Sequence, residues 1–344
     1  MWRVALKDLL FRRRRFIASV LATSIAFALA LLLAGTMEHL QKESDRIVGL
    51  FDADAFLVAD GGTGPFSTTR LLPMSTADEL LADPAVTAAS PFIQAGEVLD
   101  DRNVNVLGLA ADGTGWPVPA SGRLPTAAGE VLVDEELPFG FGDTISLAGQ
   151  DATIVGTSTG TAYYFGQPTV FARLEDVQQV FLRGQQVATA IAVDGALSAP
   201  PPGLAIFSPG DAIRDLERPM KTGTQTIAII SALLWVMAGG VVASMLYLSV
   251  TERSTDLATS KAMGVTNRSL FGGLALQGFV LALSACAVGA VLALLLAPVF
   301  PLAIEIPISA YVTLVIVGVV VGLVASLIGL RKTTRVDPAL AFAS

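Results

Sequence analysis

The chain has 344 residues, of which 53% are hydrophobic and only 15% are charged, and its mean hydropathy is +0.64. A soluble domain carries about a quarter charged residues, so this composition excludes an ordinary soluble protein. The single cysteine, Cys286, excludes a disulfide framework, and because it lies within an apolar run we interpret it as a packing residue. The net charge of −8 gives no reason to predict a nucleic-acid partner, and we predict none.

The first predicted element is residues 16–37, which contain no charged residue. As a helix this segment would be about 33 Å long, which matches the hydrocarbon core of a bilayer. A cleaved signal peptide is the alternative, because the run Arg12–Arg15 resembles the basic start of such a peptide. The apolar stretch is longer than the usual apolar region of a signal peptide, so we predict a retained transmembrane helix.

Residues 38–222 are predicted to form a mixed α+β domain with Gly and Pro punctuation. Helices are expected at Thr76–Ala82, capped by Ser75, and at Leu174–Leu182. Pro200–Pro202 predicts a rigid exit segment. Strands are predicted at Ala55–Val58, Val86–Ile93, Val104–Leu109, Gly129–Val133, Thr144–Leu147, Thr153–Val155, Thr169–Ala172 and Ala188–Val193, with a hairpin turn at Asp100–Asn103.

The segments that join this domain to the apolar runs have apolar residues near helical spacing. Met37, Leu40 and Ile47 recur after the first run, and Leu216 precedes the second, where Pro219 should bend or end a helix. Two helices would form a stalk, whereas flexible linkers are the alternative, and the sequence leaves both open.

Three further apolar runs, residues 227–250, 271–300 and 308–330, predict three more transmembrane helices. Residues 1–15, the loop 251–269 and the tail 331–344 together carry twelve basic and four acidic residues, a net charge of +8. The remainder carries ten basic and 26 acidic residues, a net charge of −16. The positive-inside rule therefore predicts cytoplasmic termini and an extracytoplasmic inserted domain. The predicted fold is an α-helical membrane protein with four transmembrane helices in a 1+3 layout.

The sequence argues against several kinds of chemistry. The predicted transmembrane helices contain no ionisable Asp, Glu, Lys, Arg or His, which disfavours a proton-coupled carrier. The only histidine is His39, so neither a catalytic triad nor a multi-His metal site is predicted. No lysine follows a glycine, so the chain has no GK[ST] phosphate loop and is not predicted to hydrolyse ATP. The acidic runs Asp134–Glu136 and Asp100–Asp101 could hold a cation, but such runs more often form a solvated face, and we interpret them so.

Small residues recur at helical spacing in two of the apolar runs. Such stripes allow close helix packing in a membrane, and they would serve either packing within one chain or a dimer seam. The stripes comprise Ala18, Ala22, Ala26, Ala30 and Ala34 in the first run and Gly318, Gly322 and Ser326 in the last.

The loop after the second apolar run predicts a short amphipathic helix that ends at a glycine. In this loop the chain resembles the FtsX/MacB/LolC-LolE superfamily of ABC transporter permeases, whose loop follows an Arg-x-x-Glu-(apolar)-Ala-x-Leu-(Lys/Arg)-Ala-(apolar)-Gly pattern. The matching positions are Arg253, Asp256, Leu257, Ala258, Lys261, Ala262, Met263 and Gly264. The chain departs from the pattern at Asp256, which replaces Glu, and at Ser260, where an apolar residue is usual.

The resemblance extends to both ends of the chain. The tail is similar to the closing signature of the same superfamily through Arg331, Arg335, Pro338 and Leu340. The start, Ala5–Leu10, is similar to the family's amphipathic N-terminal helix on the inner membrane surface. In the outer domain, Gly129–Val133 and Phe141–Ile145 resemble a MacB-type periplasmic domain.

The resemblance implies a permease subunit of the bacterial cytoplasmic membrane that works with a separate ABC ATPase. It implies two copies of that ATPase docked under the 251–269 loops, a second permease copy, either identical or related, and ATP and Mg bound by the ATPase rather than by this chain. An exporter or extractor of a peptide, drug, lipid or lipoprotein, aided by a periplasmic adaptor, is the first hypothesis. An FtsX-like module that regulates a cell-wall hydrolase is the second, and an envelope receptor without an ATPase is the third. A domain of this size favours the first hypothesis.

Overall fold

The computed structural model describes residues 13–195, 197, 200–252, 266–299 and 304–334. The chain divides into two compact units, one formed by Leu40–Thr222 and the other by Met1–His39 with Gly223–Ser344. In chain order, the described elements are α1 (Arg13–Gly49), β1 (Ala55–Ala59), β2 (Leu72–Pro73), α2 (Ser75–Leu81), β3 (Val86–Leu99), β4 (Arg102–Leu109), β5 (Ser121–Gly122), β6 (Glu130–Asp134), β7 (Thr144–Leu147), β8 (Gln150–Ser158), β9 (Thr169–Arg173), α3 (Leu174–Phe181), β10 (Val187–Ala188), β11 (Ala190–Gly195), β12 (Leu204–Phe207), α4 (Pro209–Glu217), α5 (Lys221–Glu252), α6 (Asn267–Leu296), a 3-10 turn (Ala297–Val299) and α7 (Ile308–Thr334).

Four helices carry the predicted apolar runs. Three of them, α1, α5 and α6, are long and apolar enough to cross a membrane. In α7 the apolar segment is shorter, Ile308–Val324, among the residues described. The helices agree in position with the four predicted spans, while the number that crosses the bilayer remains a prediction.

The helical unit packs through glycines on α6 and α7. A Cβ at Gly322 would lie 2.9 Å from the carbonyl oxygen of Gly278, and a Cβ at Gly318 would lie 2.6 Å from Cys286 Sγ. Both distances are too short for a real side chain. At Gly278 and Gly322 the two backbones approach closely because neither residue carries a side chain, and Gly318 leaves room for the Cys286 side chain. The Gly318 and Gly322 stripe therefore serves packing within one chain. In α1 the alanine stripe is divided, since Ala26 and Ala30 are buried whereas Ala18 and Ala22 are exposed.

The Leu40–Thr222 unit is built on one ten-stranded mixed sheet. Its order is β12-β1-β11-β3-β4-β9-β6-β8-β5, with β7 paired to β8. The pairs β4–β9 and β6–β8 are parallel and the remaining pairs in this sheet are antiparallel. All eight predicted strands are present. The short strands β2, β5 and β12 were not predicted, and β12 returns the chain to the sheet edge after the proline segment.

The predicted hairpin at Asp100–Asn103 is confirmed and is tighter than expected. Leu99 pairs with Arg102, so Asp100 and Asp101 alone form the turn. Both aspartates have positive φ, 46° and 64°, as a two-residue turn that matches strand twist requires.

The core of this unit includes the end of α1 and the residues that follow it. Ile47, in the last turn of α1, and Phe51, two residues beyond its end, are fully buried. The Phe51 ring lies 4.5 Å from that of Phe92 and makes edge-on contact with Phe56 at 5.6 Å, centroid to centroid. Such contacts add to the hydrophobic stabilisation from burying rings of this size. The segment after the first apolar run is thus helical, not a flexible linker.

The prediction that Ser75 caps a helix is wrong. Helix α2 begins at Ser75 itself, and Met74 occupies the capping position without a side-chain hydrogen bond. Ser75 is therefore a first-turn residue, and its hydroxyl is not in the capping position. The cap geometry is instead found at α4, where Ser208 and Asp211 form a reciprocal capping box.

Candidate functional site

The predicted coupling loop lies largely outside the described residues. Helix α5 is described to Glu252 and α6 from Asn267. Residues 253–265, which include every predicted coupling residue, fall between them. Arg331 lies in the last turns of α7. The other predicted tail residues, Arg335, Pro338 and Leu340, and residues 1–12 of the predicted N-terminal helix lie outside the description, so these site predictions stand untested.

The structure does show how α1 enters the sheet-containing unit. Helix α1 is unbroken from Arg13 to Gly49, so it runs past the unit boundary at Leu40. Its last turns contact the β8–β9 loop, residues 159–168. Arg46 Nη1 donates a hydrogen bond to the carbonyl oxygen of Gly160 at 2.8 Å, and Gly166 N donates to Glu43 Oε2 at 3.4 Å. The loop therefore contacts two positions that lie about one turn apart on one face of the helix.

The β8–β9 loop is itself held by buried polar groups. Asp134, at the end of β6, accepts hydrogen bonds from Thr161 N at 2.8 Å and from Thr161 Oγ1 at 2.5 Å. The amide of Asn105 donates to the carbonyl oxygen of Gln167 at 3.1 Å. Asp134 is fully buried, so the interpretation of Asp134–Glu136 as a solvated face is wrong for its first member. A buried carboxylate needs such donors, because leaving it unsatisfied is costly.

The tip of this loop has a strained backbone. Tyr164 and Phe165 have φ values of 55° and 64°, a region that residues with large side chains rarely adopt. The bridge between Tyr163 and Gln167 closes the turn around them. Strain of this kind persists only where the surrounding structure fixes it, and it concentrates at functional sites.

Glu43 is the titratable group in this contact. Its side chain is buried, and burial raises its pKa from 4.5 to about 7, assisted by the negative charges of Glu136 and Asp134. The Gly166 hydrogen bond and the charge of Arg46 act in the opposite direction but do not offset the burial. The last turns of α1 therefore carry a carboxyl group whose pKa, about 7, lies near neutral pH.

A second connection involves the glycine-rich loop at residues 61–68 and helix α4. Asp215, fully buried on α4, accepts hydrogen bonds from Phe66 N at 2.9 Å and Ser67 N at 3.1 Å, and from the Ser67 hydroxyl. A Cβ at Gly64 would overlap the Asp215 carboxyl, so a glycine is needed there. Arg218 Nη1 donates to the carbonyl oxygen of Thr63 at 3.1 Å. Helix α4 is thus fixed to the sheet-containing unit just before α5 begins.

The chain between α4 and α5 changes conformation at Pro219, as predicted. Helix α4 ends at Glu217 and α5 begins at Lys221. Short backbone hydrogen bonds of the turn type bridge the gap, from Met220 N to Glu217 O at 3.0 Å and from Lys221 N to Arg218 O at 3.3 Å. Proline has no N–H to donate, so a continuous helix is disfavoured at this position.

None of these functional contacts was identified from the sequence. Glu43, Arg46 and Asp215 lie among other charged residues on amphipathic segments, and no spacing rule distinguishes a buried carboxylate from an exposed one. Within the described residues, no group of three or more His, Cys, Asp or Glu side chains is arranged to hold a metal ion. The contacts of Arg46 and Asp215 fix the last turns of α1 and helix α4 within the Leu40–Thr222 unit.

Comparison with known proteins gives matches along the whole chain. Residues 16–200 match the family model of the MacB-like periplasmic core domain, and residues 228–338 match that of the FtsX-like permease C-terminal domain. The chain is 36% identical to an ABC transporter permease of Mycobacterium bovis and 35% identical to one of Mycobacterium tuberculosis, each over 98% of both chains. The solved periplasmic region of MacB from Actinobacillus actinomycetemcomitans aligns with 14% identity and a TM-score of 0.37, covering 51% of this chain and 98% of that one.

Proposed function

Because this chain belongs to the FtsX/MacB family of ABC transporter permeases, we propose that it converts ATP hydrolysis by a separate ATPase into movement of its Leu40–Thr222 unit. A permease of this type implies a partner ATPase. The membrane subunit then needs two parts, a surface that receives the movement and elements that carry it to the outer domain.

The receiving surface in this proposal is the loop 251–269. The FtsX-like match at residues 228–338 includes this loop together with α5, α6 and α7. Arg253, Asp256 and Lys261 provide charged groups for contact with the ATPase, while Leu257 and Met263 provide apolar ones. Two ATPase copies, each binding ATP and Mg, would act on the loops of two permease copies.

The transmitting elements are α1 and the α4–α5 connection. The observation that carries the proposal is that α1 has no break between its apolar segment and its contacts with the β8–β9 loop. An unbroken helix transmits a displacement along its axis because stretching it would break its backbone hydrogen bonds. The α4–α5 connection is instead interrupted at Pro219, and in this proposal the interruption is the point of bending.

The proposed task is export or extraction of a peptide, drug, lipid or lipoprotein at the bacterial cytoplasmic membrane, with both termini in the cytoplasm. The MacB-like match over residues 16–200 supports this task over an FtsX-like signalling module. A signalling module that regulates a cell-wall hydrolase is the alternative, and a periplasmic adaptor is a further expected partner of the exporter.

The test is a pair of loop variants, Lys261→Glu and Met263→Asp, co-expressed with the partner ATPase and reconstituted in lipid. We expect each to lose the stimulation of ATPase activity that the wild-type permease gives, because one reverses a contact charge and the other places a charge on an apolar contact. Ser254→Ala, in the same loop but outside the motif, is the matched control and should retain the stimulation. Full stimulation by both loop variants would refute the placement of the coupling surface.

A further inference from the structure

A pocket of about 220 Å³ opens beside α3 in the Leu40–Thr222 unit. We call it the α3 pocket. Its apolar wall is formed by buried or half-buried side chains of β6, β7, β9 and α3, namely Val131, Leu147, Ala172, Val177, Val180 and Phe181. A cavity of about 150 Å³ suffices for benzene, so this pocket has room for one substituted ring or a short branched chain.

The charged groups around the α3 pocket are acidic. Glu130, Asp151 and Asp176 line it beside the neutral Gln150 and Gln179, and the described lining residues include no Lys or Arg. Glu130 is already paired, since Arg123 Nη1 donates to one carboxylate oxygen at 2.7 Å and Nη2 donates to the other. Asp151 and Asp176 therefore provide the negative charge that the pocket presents to a ligand.

Of these two carboxylates, Asp176 is the better placed to contact a cationic ligand. It is half-buried in the first turn of α3 and accepts one hydrogen bond, from Gly129 N at 3.2 Å, within the part of the chain that the structure describes. The neighbouring Arg173 is paired with Glu175 at 3.0 Å. Burial raises the pKa of the Asp176 carboxyl, because an ionised oxygen has lost part of its water there. A cation beside it would offset that lost hydration.

We propose that the α3 pocket binds an apolar cation, an ammonium or guanidinium group carried on one ring or a short branched chain. The apolar part occupies the pocket and the cation contacts Asp176 and Asp151. The acidic surplus of the outer domain favours approach of such a ligand. The same chemistry is presented by a free organic amine and by an apolar residue next to a lysine in a peptide. That the pocket binds such a ligand does not depend on the proposed function. That the ligand is transported cargo does depend on it.

The test measures binding of 2-(4-fluorophenyl)ethylammonium to the full chain in lipid nanodiscs without ATP or ATPase, by fluorine NMR against empty nanodiscs. We expect saturable binding at neutral pH that is about tenfold weaker for the uncharged 2-(4-fluorophenyl)ethanol, because the alcohol lacks the charge-assisted hydrogen bond. A blocked Phe-Lys dipeptide competing for the same site would identify peptides as a source of the ligand. A dipeptide that does not compete would restrict the site to free amines.

Variants locate the site. Asp176→Asn should weaken binding of the ammonium by about tenfold and leave binding of the alcohol unchanged, because it removes only the charge. Val180→Trp should abolish binding of both by filling the pocket. Asp78→Asn, the equivalent first-turn change in α2, is the matched control and should bind like the wild type. Equal affinity for the ammonium and the alcohol, or unchanged binding in both pocket variants, would overturn the proposal, while the ATPase stimulation test remains independent of either result.

Discussion

Asp215 and Glu43 are two buried acidic residues of the Leu40–Thr222 unit, and they differ in the hydrogen bonds and charges around them. Asp215 accepts hydrogen bonds from two backbone N–H groups and one hydroxyl, so its oxygens are satisfied although the side chain is buried. Glu43 accepts a longer bond from Gly166 N at 3.4 Å and lies near two other acidic side chains. Asp215 is thus a structural anchor for the glycine-rich loop, whereas Glu43 is a group whose charge depends on pH.

Glu43 predicts a dependence of stability on pH. Its folded-state pKa, about 7, exceeds the unfolded value of 4.5. The stabilisation by the protonated carboxyl is therefore complete below pH 4.5 and is lost as pH rises through 7, to a total of about 3 kcal/mol. Glu43→Gln keeps an acceptor for Gly166 N without a titratable proton, so it should gain stability relative to the wild type as pH rises.

The measurement is the thermal unfolding midpoint of both proteins in detergent between pH 4.5 and pH 8. Glu79→Gln, an exposed change on α2, is the control and should follow the wild-type curve. A constant difference between Glu43→Gln and the wild type at every pH would show that Glu43 does not titrate in this range.

At the scale of elements, the crossing of α6 and α7 depends on backbone proximity. The carbonyl oxygen of Gly322 would lie 2.7 Å from a Cβ at Gly278, and the reverse distance is 2.9 Å. Neither neighbour can rotate away, because both are main-chain atoms. In a bilayer the hydrophobic effect does not drive helices together, because the lipid is itself apolar. Close approach and the dispersion contacts that it allows stabilise the crossing instead.

We therefore predict that Gly322→Ala destabilises the helical unit by about 1–3 kcal/mol, the usual cost of overpacking. Gly240→Ala in α5 is the matched control, because a Cβ at Gly240 meets nothing within 4 Å. That control should be neutral or slightly stabilising, since alanine is the better helix former. Reversible unfolding in mixed micelles would measure both, and equal shifts for the two variants would contradict the crossing.

The sheet contains short strands that have no recognisable sequence pattern and form by pairing with a longer neighbour. Strand β12, four residues long, pairs with β1 at one end of the sheet order. Strand β5, two residues long, pairs with β8 at the other end. Runs this short have no periodicity to detect, and they form only because a neighbouring strand offers unpaired backbone groups.

At the scale of the whole molecule, the matches to family models and to related permeases confirm the family that the loop and tail motifs indicate. The outer surface of α5 carries exposed apolar side chains, such as Leu233, Val236 and Met237. In a membrane protein such a surface contacts lipid or another helix. The proposed function predicts an assembly of two permease copies and two ATPase copies, in which this surface of α5 contacts lipid or a helix of the second permease copy.

Native mass spectrometry of the detergent-solubilised complex, purified from its own host, tests that assembly. We expect two copies of this chain with two copies of an ABC ATPase, because the four predicted transmembrane helices would provide half of the usual transmembrane assembly. Recovery of the chain without an ATPase, under conditions that preserve a known ABC complex, would favour the receptor hypothesis.

The sequence by itself determined the membrane class, the placement of the apolar helices, eight of the strands and the family. These features depend on local patterns, namely uncharged runs, alternating strands and a loop motif with fixed spacing. The Asp100–Asp101 turn is also predictable from local sequence, because aspartate adopts positive φ more readily than most residues.

Only the tertiary structure decided which polar groups are buried and what they bind. The acidic pattern predicts a solvated Asp134, yet this residue is fully buried, because β6 lies inside the sheet and ends against the β8–β9 loop. The sequence predicts Ser75 as a cap, yet it is the first residue of α2, because Met74 before it already has helical backbone angles. Burial depends on residues far apart in the chain, and for that reason the raised pKa of Glu43 and the α3 pocket were not predictable from sequence patterns.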